Sequence, residues 1–208
     1  MNQTAPHKDL VVLVADSDMQ AAVRGALGRP QALRVRDIIF DIRRHPGRDP
    51  GCRVYSAQFL KQFTSSYEHA IVMFDWEGSG ATASAQDTEE SVERELSKTG
   101  WSNRAVAVAI EPELEAWIWS DSPHVKKILG WGKKKPALRC WLEQNGFLKA
   151  NHVKPPRPKE ALEAMLYEIK RPRSSALFDK IAKKVSLDRC DDRAFLKFKK
   201  TLQSWFPL

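Results

Sequence analysis

The chain has 208 residues, 42% hydrophobic and 29% charged, a composition that excludes wholesale disorder and supports one buried core with or without a small extension. Its net charge of +8 conceals a division: residues 1–121 carry 13 Lys/Arg against 18 Asp/Glu, net −5, whereas residues 122–208 carry 21 against 8, net +13. No apolar run approaches the roughly 18 residues of a membrane span, the first 30 residues read without a secretory leader, and three scattered cysteines (Cys52, Cys140, Cys190) fit a reducing cytoplasm.

In chain order, Asp9–Ala15 (DLVVLVA) is a continuous apolar run and reads as a strand buried on both faces. Helical spacing of apolar residues over Met19–Leu27 follows, with Asp18 placed to cap it. Arg36–Ile42 (RDIIFDI) reads as a second strand. The stretch RRHPGRDPGC then reads as a loop, and Val54–Phe63 as a helix. His69–Phe74 is a third buried strand, Asp87–Lys98 an acidic helix and Ala105–Ile110 (AVAVAI) a fourth strand. Glu111-Pro112 is expected to open a helix running to about Ser120, with Pro at its first position.

Strands alternating with helices predict βαβ units and a parallel α/β sheet of about four strands in residues 1–121. After Asp121 the strand signals vanish. Pro136–Asn145, Pro158–Ile169, Ser175–Val185 and Asp191–Phe206 all read as helices, so residues 122–208 form a basic, all-helical region expected to pack on the core. Lys154–Pro158 (KPPRP) is a stiff basic connection between two of them.

Ligands of open parallel sheets bind at the carboxyl ends of the strands, and here those ends are acidic. The first strand ends at Asp16 and Asp18, the third at Asp75 and Glu77, and the fourth at Glu111, with Glu113 and Glu115 just beyond. Mutual repulsion opposes such a gathering unless a cation offsets it, and oxygen-only ligands select Mg²⁺ or Mn²⁺ over zinc. If the chain stays extended past Asp75, the i, i+2 spacing aims Asp75 and Glu77 the same way. Asp16 is then a further metal ligand or the general base for a water. Asp16 and Asp18 also read as plain helix caps, and Asp75 as a turn residue.

Other signals are weaker. The sequence has no Walker A or GxGxxG pattern and no GxSxG elbow. His45, Asp49 and Cys52 lack a fourth zinc ligand and read as a Pro/Gly turn. Trp117 and Trp119 read as core or interface residues. Lys133, Lys134 and Lys135, with Lys154 and Arg157, are the candidate contacts to a nucleic-acid backbone, DNA or RNA, or else solvated turn residues.

The segments VVLVADSD and IVMFDWE resemble the Toprim pattern, an acid after the first strand and an acidic pair after the third, with Asp16, Asp75 and Glu77 at those positions. The chain is similar to a family of Toprim-like bacterial proteins found near phage-defence and restriction loci, whose acidic-aromatic motif looks like Ile110–Asp121 and whose terminal aromatic helix looks like Arg193–Phe198. It departs from the family pattern in having Asp16 where Toprim domains carry Glu, Gln20 where a second acid is often found, and Glu77 for Asp.

The resemblance implies a cytoplasmic Mg²⁺-dependent nuclease or related phosphodiester-processing component of a defence system, with partners from the same operon. The catalytic residues would be Asp16, Asp75, Glu77 and Glu111. Asp16, Asp75 and Glu77 would ligate the metal, supported by Asp18 and Glu115. The substitutions at positions 16 and 20 leave open a second reading, a catalytically degenerate Toprim-like scaffold that binds partners.

Overall fold

The computed structural model describes residues 8–119 and 122–208. Ser120 and Asp121, which end the acidic-aromatic motif and mark the expected boundary, lie outside the described residues. The apolar runs form a four-stranded, all-parallel sheet in the order β2-β1-β3-β4, with β1 at Lys8–Val14, β2 at Phe40–Arg44, β3 at Tyr67–Asp75 and β4 at Ala105–Ile110. The inner strands are β1 and β3. Residues Leu10–Val14 and Ala70–Phe74 are fully buried, as a strand covered on both faces requires.

Helix α1 (Ser17–Leu27) and the short α2 (Pro30–Leu33) connect β1 to β2. Helices α3 (Arg48–Leu60) and α4 (Ala85–Leu96) lead into β3 and β4 and pack on each other. Right-handed crossovers put α1 on one face of the sheet and α3 and α4 on the other. The chain therefore changes direction between β1 and β3, and a crevice opens at their carboxyl ends.

The structure departs from the sequence reading in five places. Asp16, not the expected Asp18, caps α1, which starts at Ser17. The second strand is shifted to Phe40–Arg44, because Phe40 to Arg44 pair with Leu10 to Val14, while only part of the Arg36–Ile42 run is in the sheet. Helix α3 starts at Arg48, inside the expected loop. Pro50 falls in its first turn, where no intrahelical N–H is needed. Among the described residues no α-helix opens at Glu111-Pro112: that peptide is cis, Glu113 is extended, and a 3₁₀ turn forms at Leu114–Trp117. There the chain is tied to β3 instead, through Trp76 N–H to Ile110 O (2.8 Å) and Glu77 N–H to Pro112 O (3.2 Å). Helix α5 (Pro123–Leu129) has no counterpart in the sequence reading.

The remaining helices are α6 (Leu138–Gln144), α7 (Pro158–Glu168), α8 (Ser175–Ala182) and α9 (Arg193–Trp205). Helix α8 lies on α1 at close range. A Cβ at Gly25 would stand 2.8 Å from the Ala182 Cβ and 2.9 Å from the Asp179 carbonyl, so only glycine permits this approach. Arg29 pins the far end by donating to the carbonyls of Ala182 (2.8 Å) and Val185 (2.7 Å). Helix α9 closes the exposed side of β4. Trp117 and Trp119 bridge the two parts of the chain: Trp117 donates to Asp192 (2.9 Å) and meets Phe195 edge-on, and the buried Trp119 donates to the Pro158 carbonyl (2.8 Å).

Candidate metal centre

Asp75 is the last residue of β3, and four neighbours define its surroundings. Its amide donates to Oδ1 of Asp49 in the first turn of α3 (2.8 Å), and its own Oδ1 accepts from the Leu114 amide (2.8 Å). The bend after β4 brings two further carboxylates to it. Asp75, Glu113 and Glu115 each offer an oxygen within 4.8 Å of the others; the first two are partly buried and Glu115 is buried.

The extended Glu113 reaches the start of α7, where it accepts from the Lys159 amide (2.8 Å) and supplies the cap that Arg157 does not. Glu115 meets Arg173 from the α7–α8 connection, with Nη2 at 2.5 Å from Oε1. The same guanidinium donates to Oδ2 of Asp18 (2.7 and 3.0 Å), and Ser175 donates to Oδ1 of Asp18 (2.5 Å).

The electrostatics follow from burial and like charge. Asp75 is held well above the usual carboxylate range, first by desolvation and then by the negative charges of Asp49, Glu115 and Asp16. Desolvation also pushes Asp49 and Glu113 upward. Asp16 is near enough to bear on both Asp49 and Asp75, and its orientation is fixed because Oδ1 accepts from the amides of Asp18 and Met19 (2.9 Å each) as the N-cap of α1. Carboxylates that resist ionisation together can share a proton or surround a hard divalent cation; all-oxygen ligands suit Mg²⁺ or Mn²⁺.

The expected residues are thus only partly assembled. Asp75 and Glu115 meet, Asp16 borders them, and Asp18 is joined through Arg173. Glu77 does not share the direction of Asp75. Trp76 is in the right-handed helical region, so the strand has ended, and Glu77 stands exposed at the start of a 3₁₀ turn. Glu111 is exposed too, and its charge bears on Arg193 of α9. Glu113 and Asp49 belong to the site, although the sequence pattern does not assign them to it. Glu113 is visible there as one of three alternating acids after β4, and Asp49 only as an acid in a turn. Cys52 is fully buried, which raises its thiol far above the reactive range, and Nδ1 of His45 accepts from the Gly47 amide (3.0 Å).

The proposed backbone contacts are unequal. Lys133 and Lys135 are exposed, but Lys134 is paired to Glu168 (2.7 Å) over the Trp131 ring. Lys154 lies 3.8 Å from Asp191, and Arg157 is paired to Glu160 (3.2 Å).

No family model matches the chain, and comparison with curated proteins and with solved structures returns no significant match. Among the described residues, no helix is long and apolar enough to cross a membrane.

Proposed function

We propose that the chain is a divalent-cation-dependent phosphodiesterase acting on nucleic acid, a nuclease component of a bacterial phage-defence system, with protein partners from the same operon. It would work in the cytoplasm with Mg²⁺ or Mn²⁺. The observation that carries this reading is the convergence of Asp75, Glu113 and Glu115 at the crevice where parallel sheets bind ligands. The likeness of VVLVADSD and IVMFDWE to the Toprim pattern motivates the assignment to defence.

Asp75, Glu113 and Glu115 would hold the ion. Their fit rests on the donor set, oxygen alone, and on burial that makes a trianionic cluster costly without a cation. When bound, a divalent ion stabilises charge developing on a phosphate and acidifies water. The chain's own residues do the rest. The Leu114 and Lys159 amides fix the rotamers of Asp75 and Glu113. Asp16, anchored through Oδ1, would use Oδ2 to orient a water or take its proton.

A specific observation favours the scaffold reading as the alternative. Arg173 already places a fixed positive charge on Glu115 and Asp18, supplying part of the compensation a metal would give. The discriminating experiment combines a thermal melt under Mg²⁺ and Mn²⁺ titration with cleavage assays on plasmid, single-stranded DNA and tRNA. The nuclease reading expects a cation-dependent rise in melting temperature and cleavage, both abolished by Asp75→Ala. No cation response and no hydrolysis would favour the scaffold, and cleavage surviving Asp75→Ala would overturn the site.

A further inference from the structure

We infer that the cleft at the carboxyl ends of β1 and β2 is the subsite for the phosphate backbone of the nucleic acid, with Arg44 and Arg48 as its phosphate contacts. The inference rests on the reading of the chain as a nucleic-acid enzyme, and it moves the polyanion from the lysines of the helical region to the sheet rim.

The cleft has a volume of about 530 Å³, within the range of sites that hold small ligands. Arginines dominate its charge. Arg43, Arg44 and Arg48 all line it, and among the described residues the only acid on its wall is Asp16, whose Oδ1 is engaged by two amides. Alternation along β2 divides Arg43 from Arg44. Arg43 lies over the Phe63 ring at 5.8 Å, on the side of α3. Arg44 shares the side of Ile42, whose carbonyl accepts from Gln20 of α1 at 3.2 Å. Arg44 and Arg48 are exposed, and neither belongs to an ion pair among the described residues, whereas Lys134, Lys154 and Arg157 all have carboxylates beside them. Unpaired guanidiniums are the groups best suited to bidentate phosphate contacts.

The turn that carries these arginines is rigidly built. The His45 amide donates to the Val14 carbonyl (2.9 Å), which extends the β1–β2 pairing by one residue. The buried His45 ring lies so close to Gly51 that a Cβ there would stand 2.1 Å from Nδ1, and its other side meets Phe59. Arg48 has φ +49°, an uncommon conformation for a non-glycine residue that persists only where the surroundings impose it. A fixed turn spares the backbone part of the ordering cost when the two cations bind.

The position relates the cleft to the acids. Asp16 lines the cleft, and its charge is also felt at Asp49 and Asp75. With β1 between β2 and β3, the two regions lie about 10 Å apart, two strand spacings. One strand gripped by Arg44 and Arg48 would reach the Asp75 crevice.

The test is fluorescence anisotropy with end-labelled 20-nucleotide single strands, DNA and RNA of one sequence, on the full chain in EDTA. Arg44→Ala/Arg48→Ala should weaken binding at least tenfold at 50 mM salt. It should also flatten the log–log salt slope by about 1.4, since each single-strand phosphate left without its cation removes roughly 0.7. Lys133→Ala/Lys135→Ala should change affinity less than twofold. Affinity within twofold of the parent for the arginine variant would overturn the subsite, as would no binding by the parent. A labelled mononucleotide bound as tightly as the 20-mer would overturn the polynucleotide assignment. The assay reads binding and not hydrolysis, so arginine-dependent binding by a chain that cleaves nothing would uphold the subsite while removing the nuclease reading.

Discussion

Arg173 places its guanidinium 2.5 Å from the carboxylate of Glu115, a residue only 2% exposed, while the same group holds Asp18 at 2.7 Å and lies over the Phe178 ring. The two acids come from opposite ends of the α/β part, one after β1 and one after β4, and the arginine comes from the helical part. One side chain therefore links the acidic rim to the helices. Desolvation opposes its charge, but the hydrogen bond to Asp18 and the charge of Glu115 outweigh that, and its pKa is raised.

Replacing Arg173 by Met keeps an apolar stem and leaves Glu115 buried without its cation. Breaking a buried pair this way costs about 3–5 kcal/mol. The lower figure applies here because Arg173 is 28% exposed. Urea denaturation should show the loss as a lower midpoint with an unchanged slope. Mn²⁺ should recover part of it, because a cation at the Asp75 cluster offsets the same negative charge. A variant as stable as the parent would show that the Arg173 contacts contribute nothing net.

Asp75 sets a pH dependence with a defined sign. Burial, then Asp49, Glu115 and Asp16, raise its folded pKa above the unfolded value, so the folded chain binds that proton more tightly. The stability this contributes is complete below the unfolded pKa, about 3.9, and is lost as pH rises through the folded pKa. Asp49 and Glu113 act in the same direction, Asp9 and Asp41 in the opposite one, so the effect must be read as a difference between variants. Asp75→Asn keeps the acceptor for the Leu114 amide and removes the charge. In EDTA it should melt above the parent at pH 7.5, with the gap closing toward pH 4. A metal at one hundred times its Kd should then stabilise the parent by about 2.7 kcal/mol and Asp75→Asn hardly at all. An Asn variant with the parent's pH profile would refute the assignment.

The edge strand β4 is guarded by charge. Glu89 and Glu93, one turn apart on α4, accept from the amides of Ala109 (2.8 Å) and Ala107 (2.9 Å), two residues apart on the strand. Arg193 then binds Glu89 through two bonds of 2.9 Å, and Lys197 reaches both glutamates. The carboxylates occupy amides that a further strand would use. Glu89→Leu should cost about 3–5 kcal/mol, because it strands a buried amide and two cations. Glu89→Gln should cost less, because it retains the acceptor. Size-exclusion chromatography should show association of the Leu variant through the opened edge. A monomeric, fully stable Leu variant would show that packing of α9 is sufficient.

How much of this is legible in the sequence depends on what each residue answers to. Strands β1, β3 and β4 are readable because burial on both faces forces unbroken apolar runs. β2 is misplaced because Arg43 and Arg44 look like loop residues, although they pair with Leu13 and Val14. The acidic strand ends are visible, and Asp75 is among them. Which acids converge is not, because that depends on the turn at Trp76 and the extended Glu113, neither of which has a periodic signature. Arg173 and Asp49 enter the rim from distant segments, and no local pattern announces a contact 155 residues long such as Arg173 to Asp18.

Gly51 and His45 offer the sharpest check on the turn that presents Arg44 and Arg48. A Cβ at Gly51 would lie 2.1 Å from Nδ1 and 2.5 Å from Cε1 of His45, nearer than real contacts allow. The ring is buried and bonded to the Gly47 amide, so it cannot swing aside freely. Gly51→Ala should therefore destabilise the chain by about 1–3 kcal/mol, the usual cost of overpacking, although alanine favours a helix over glycine by up to about 1 kcal/mol. His45→Ala alone should also destabilise, by removing a packed ring. In the double variant the new methyl enters the space the ring has left, so the two losses should not add. A double-mutant cycle by chemical denaturation should return a coupling of at least about 0.5 kcal/mol, as expected for residues in contact. Strict additivity would mean that the ring and the glycine do not share that space, and that the turn is held by other contacts.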